Sequence, residues 1–108
     1  MTQREELFER EIKETLAELE VLLLQKGKEY RRDNNPYHNF ETGARLTGKH
    51  RTEILEGFLL KHLISVSDLK NDLKEAIYPS RKIINEKYND ILLYFLIEKA
   101  MMLEYADR

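Results

Sequence analysis

The stretch Lys26–Phe40, KGKEYRRDNNPYHNF, holds four Lys and Arg side chains, a histidine and three aromatics. The wider segment 26–51 carries seven Lys and Arg against Glu29, Asp33 and Glu41. A basic block of this kind can hold an anion, because guanidinium forks and ammonium groups both pair with phosphate or carboxylate oxygens. Residues 1–20 are the opposite, with Arg4, Arg10 and Lys13 against seven glutamates. A solvated acidic helix face accounts for that block.

Two further constellations stand out. Lys61, Ser65, Asp68 and Asp72 follow 4-3-4 spacing and share one side of a helix. Glu86 and Asp90 lie one turn apart farther along. In an antiparallel hairpin Asp68 comes level with Glu86, and Lys61 and His62 come level with Asp90. Facing carboxylates of this sort can hold a divalent cation by oxygen ligation, which makes Asp68, Glu86 and Asp90 the candidate metal ligands. A solvated face laced with inter-helix salt bridges explains the same spacing without a metal.

These residues need helices to position them. Phe8, Ile12, Leu16, Leu19 and Leu23 recur at three- and four-residue spacing and predict a helix over about 5–30. Leu55, Leu59, Val66, Leu69 and Leu73 predict a second over about 52–73. Ile84, Tyr88, Ile91, Phe95 and Met102 predict a third over about 81–105, with Ser80 as its N-cap after Pro79. The short link EAIYPS makes the last two helices antiparallel neighbours. The link over about 31–51 is long and contains the turn signature Asp33-Asn34-Asn35-Pro36, with room for a short helical turn around 41–46. Tyr37 and Phe40 would tether it to the core as an ordered loop, a basic lid across the mouth of the bundle.

On a helical wheel, Lys26 and Tyr30 continue the apolar stripe of the first helix, His62 sits within that of the second and Glu98 within that of the third. Three inward ionisable groups would make a polar pocket. The plainer accounts are a satisfied core histidine, a lysine snorkelling to water and a glutamate beyond the reach of its neighbours.

The expectation is therefore an all-α fold, a single helical domain over 1–108 built of three long helices and a long ordered loop. Leu7, Val21, Leu24, Leu60, Ile64 and Leu96 lie off the main stripes and imply a second packing surface, hence a dimer or higher homo-oligomer. The absence of cysteine rules out disulfides and thiolate metal sites, and fits a cytoplasmic location. The charged, periodic start reads as helix and not as a signal peptide, and no run approaches a membrane span. No Gly-rich phosphate loop or nucleophile elbow is present, and the twelve-residue spacing of His38, His50 and His62 is no zinc pattern. The acidic balance and the lack of a basic recognition helix argue against duplex nucleic acid.

KGKEY, NPYHNF, LLKHLISVSDL and EKYNDILLYFLIEKA together resemble the phage-borne all-α proteins of the nucleotide modification associated domain type. Those are similar in turn to MazG-like nucleoside triphosphate pyrophosphohydrolases. The resemblance covers about 22–102. Lys26, Glu29 and Tyr30 match its early K-x-x-[DE]-Y, Lys61 matches the lysine of the second helix, and Asp90 and Tyr94 match its late D-x-x-N-Y, with Leu93 in place of the asparagine. The MazG-like magnesium pattern is E-x-x-E followed by E-x-x-D. Here Glu53 and Glu56 keep the first spacing but lie too far down the second helix to meet Asp90, and Glu86 and Asp90 are four apart. That rearrangement counts against hydrolysis and leaves a nucleotide-sized pocket.

What the resemblance implies is a binder of a phosphate-rich nucleotide. Lys26, Lys28, Arg31, Arg32, Arg45, Arg51 and Lys61 would supply charge, Tyr30, Tyr37 or His38 would stack on a base, and Asn39 or His62 would read its edge. In the phage setting so implied, the role is anti-defence: an oligomer that sequesters a nucleotide immune signal in the host cytoplasm, with neither turnover nor cofactor. The alternatives are a Mg²⁺-dependent pyrophosphohydrolase on Asp68, Glu86 and Asp90, and a helical module whose basic loop docks an acidic protein.

Overall fold

The computed structural model describes residues 1–108, with the side chains at positions 27 and 30 left aside. Its four helices are α1 (Gln3–Tyr30), α2 (His38–Thr47), α3 (Arg51–Lys74) and α4 (Arg81–Leu103). Among the described residues there is no strand, only a single bridge between Arg32 and Asn35 in the turn after α1.

Local chemistry sets the helix ends. Thr2 and Glu5 form a reciprocal capping box on α1: Glu5 N–H donates to Thr2 Oγ1 at 3.2 Å, and Thr2 N–H donates to Glu5 Oε1 at 3.4 Å. Ser80 caps α4 by accepting from Ile83 N–H at 3.2 Å. His50 does the same for α3 through its ring, accepting from Thr52 N–H. Gly48 ends α2 at φ 74°, a left-handed turn that suits glycine.

The expected long ordered loop is corrected by α2, ten residues long where one turn was expected. Two contacts extend it. The Asn35 side chain accepts from Tyr37 N–H at 2.9 Å and donates to Glu41 at 2.6 Å, organising the chain entering the helix. Phe40 is then fully buried and meets Phe58 edge-on at 5.8 Å. The carboxyl half of the Lys26–Phe40 stretch is thus anchored on α3.

The helices make a layer with α4 in its middle. α3 packs antiparallel to α4 through the short link, α2 packs on α3, and α1 packs on the other flank of α4. Glu11 meets Arg81, Glu18 meets Asn89 and Lys26 meets Asp90, so α1 runs parallel to α4. The main buried cluster is Phe40, Leu55, Leu59, Val66, Ile91, Tyr94 and Met101, from α2, α3 and α4, and Leu19, Leu69 and Leu93 are buried as well.

The stripe expected to bury α1 does not do so. Phe8, Ile12, Leu16 and Leu23 are exposed, and only Leu19 is buried. The line facing α4 is instead Glu11, Thr15, Glu18, Leu22 and Lys26, all half-buried. Leu73, Ile84, Phe95 and Met102, expected in the core, are exposed as well. The chain is correspondingly extended, with a radius of gyration of 16.6 Å against about 13 Å for a compact chain of this length.

Candidate functional site

A groove of about 700 Å³ runs between α1 and α4, lined by Glu18, Leu22 and Lys26 on one wall and Arg81, Lys82, Asn85, Glu86, Asn89 and Asp90 on the other. Its volume lies within the usual range for small-molecule sites. Parallel packing of α1 and α4 creates it: polar residues at helical spacing on both helices face each other where an apolar seam would otherwise close.

At the floor, Asn89 is buried and donates Nδ2–H to Glu18 Oε2 at 2.8 Å. Toward the carboxyl end of α1, Lys26 Nζ donates to Asp90 Oδ1 at 2.8 Å, with both side chains about one-third exposed. The second oxygen of Asp90 is 4.0 Å from His62 Nδ1. Burial lowers the His62 pKa from its ordinary value. The Asp90 carboxylate opposes that, while the positive charges of Lys26 and Lys61 add to it. At the amino end of α4, Arg81 donates to Glu11 at 2.6 Å and Glu14 at 3.3 Å.

An aromatic series runs away from this cluster. The His62 ring stacks on Tyr94 at 4.9 Å, Tyr94 lies parallel to Phe58 at 6.1 Å, and Phe58 meets Phe40. His62 thus lies between the face of Tyr94 and the Asp90 carboxylate, and the carboxylate opposes the lowering of its pKa by burial.

The structure distributes the candidate residues over several places. Lys26 and His62 meet at Asp90, as the antiparallel register implied for His62. Lys61 is exposed on α3 and lines a second groove with Lys49, Ile54 and Phe58. Arg31 lines a small apolar cleft with Leu23, Leu24, Tyr37 and Leu96. Lys28, Arg32 and Asn39 are exposed. His38 and Arg45 both reach Thr42 on α2, at 3.4 and 3.2 Å. The side chain of Tyr30 lies outside the described residues. Glu98 does not join Lys26 and His62 but lines a separate groove with Glu53, Leu60 and Leu63.

Arg51 is committed within the chain. Its Nη1 donates to Glu41 at 2.9 Å, Nη2 to Glu104 at 2.6 Å and Nε to Tyr105 Oη at 2.7 Å, and its guanidinium lies over the rings of Tyr37 and Tyr105. This clamp fastens α2 and the residues after α4 to the start of α3.

Of the candidate metal ligands, Glu86 and Asp90 share the groove wall and Asp68 is not part of it. Among the described residues no three His, Asp or Glu side chains converge to hold a metal ion. Glu18, Asn89 and Arg81 were not singled out from the sequence. Asn89 adjoins Asp90 among the polar residues of the first half of α4, and only its burial sets it apart. Among the described residues no helix is long and apolar enough to cross a membrane. No protein family, curated protein or solved structure matches this chain.

Proposed function

We propose that this protein binds a phosphorylated nucleotide in the groove between α1 and α4 and holds it without converting it. The observation that carries the reading is the Lys26–Asp90 pair at one end of a nucleotide-sized groove, with His62 beside Asp90, and with Lys82 and Arg81 toward the other end. An incoming phosphate exchanges with the Asp90 carboxylate for the lysine ammonium. The resemblance to phage nucleotide modification associated proteins supports the nucleotide class. It also supports the role of sequestering a signal in the host cytoplasm, as does the unfavourable spacing of the acidic residues for a magnesium cage. The reading has the chain acting as a homo-oligomer, supported by its exposed apolar surface.

Glu86 and Asp90 on one groove wall favour a second reading, Mg²⁺-assisted pyrophosphate hydrolysis, in which bound metal would activate water. One experiment separates the two. The melting temperature is followed against linear and cyclic nucleotides with and without Mg²⁺, and the mixtures are then chromatographed. A ligand that binds the native state raises the melting temperature by mass action. A rise with the nucleotide recovered intact supports sequestration, a rise with conversion supports hydrolysis, and no rise with any nucleotide overturns both.

A further inference from the structure

We infer that the exposed stripe of α1 is the contact between two copies of this chain, each α1 lying antiparallel to the other about Leu16. The inference rests on the oligomer reading above and adds its surface, its partner element and its symmetry.

The first observation is area. The chain exposes 8355 Å², whereas a compact monomer of 12.9 kDa exposes about 6,300 Å². The excess of about 2,000 Å² is of the order that a stable homodimer covers.

The second is where the apolar part of that excess lies. Phe8 and Leu16 are 66% and 61% exposed, and Ile12 and Leu23 share their side of α1. The stripe is not a spare face of a buried helix, because α1 turns Glu11, Thr15 and Glu18 toward α4 and leaves its larger apolar residues uncovered. Residues 1–10 are all exposed, and the chain's ion pairs to α1 begin at Glu11 with Arg81. Two helical turns without packing are marginal in water. A partner that covers Phe8 and Ile12 supplies what the single chain lacks.

The third is charge. Residues 1–20 carry seven glutamates against three basic side chains, and the next block, from Lys26, is basic. Parallel pairing would place acidic half beside acidic half. Antiparallel pairing places Glu5, Glu6 and Glu9 of one copy alongside the basic end of α1 in the other. A two-fold contact at Leu16 is therefore both apolar at its centre and complementary at its ends.

The test uses the full chain, which contains no cysteine. Light scattering after size exclusion is expected to give a mass of at least twice 12.9 kDa. Leu16→Glu introduces two like charges at the axis and is expected to weaken association roughly 100-fold or more, whereas Arg10→Gln, an exposed position off the stripe, leaves the mass unchanged. Leu16→Cys under mild oxidation is expected to form a chain-to-chain disulfide without loss of helicity. This readout does not depend on the folding of the charged variant. A monomer at all concentrations overturns both this interface and the oligomer reading. An oligomer that survives Leu16→Glu and gives no disulfide at position 16 overturns the interface alone.

Discussion

The ammonium of Lys26 lies 2.8 Å from Oδ1 of Asp90, closing a span of 64 positions and joining the carboxyl end of α1 to the middle of α4. Both groups are partly open to water, so the pair contributes only about 0–1 kcal/mol to stability. Its consequence is electrostatic: the carboxylate competes for the lysine with any anion entering the groove.

The two partners should therefore affect ligand binding in opposite directions. Asp90→Asn removes the competing charge and is expected to tighten binding of an anionic nucleotide roughly ten-fold, while Lys26→Gln weakens it by a similar factor. Titration calorimetry with the nucleotide that gives the largest thermal shift measures both. Unchanged binding in both variants would mean that the groove is not the binding site.

His62 predicts a pH effect with a definite sign. Its folded-state pKa lies below the ordinary value of 6.5, chiefly because of burial. The unfolded chain therefore takes up the proton first, and stability contributed by the neutral ring is present above about pH 6.5. It is lost as the pH falls toward the lower folded value. His62→Gln should flatten the decline in melting temperature between pH 7 and 5. In Asp90→Asn the His62 pKa, followed by proton NMR, should move lower still.

Arg51 holds three acceptors and covers two tyrosine rings, with only 13% of its side chain exposed. Arg51→Ala is expected to cost about 2–3 kcal/mol in urea unfolding, and Arg51→Lys nearly as much, since one ammonium cannot match the fork. Glu104→Gln combined with Arg51→Ala should cost less than the sum of the two single changes, because they share one network.

A Cβ on Gly43 would come within 2.9 Å of Ile54 Cγ2, where α2 lies against α3. Gly43→Ala is expected to destabilise by about 1–3 kcal/mol through overpacking. Adding Ile54→Ala should recover part of that loss in the same measurement, because it vacates the clashing volume.

Much of the fold was legible because it is locally encoded. Ser80 after Pro79 marked the start of α4, and apolar spacing marked three long helices to within a few residues. The level of His62 with Asp90 followed from the short α3–α4 link. What stayed hidden depends on contacts distant in sequence. The wheel identified the stripe of α1 but not its partner, since an apolar face does not say which surface covers it. The extent of α2 depends on Phe40 reaching Phe58. Arg51 carried the expected phosphate chemistry in its type, but Glu104 and Tyr105, more than fifty residues later, occupy its donors. The groove itself arises from parallel α1–α4 packing, a topology that follows from the whole chain path and not from any one segment.

The buried cluster of seven residues lies on α2, α3 and α4, while α1 contributes one buried residue, Leu19, and meets α4 through Lys26–Asp90, Glu11–Arg81 and Glu18–Asn89. Since α1 contributes little buried apolar surface and carries one wall of the groove, its amides are expected to exchange before those of α3. Amide exchange in α1 then reports on access to the groove, and amide exchange in α3 on global unfolding.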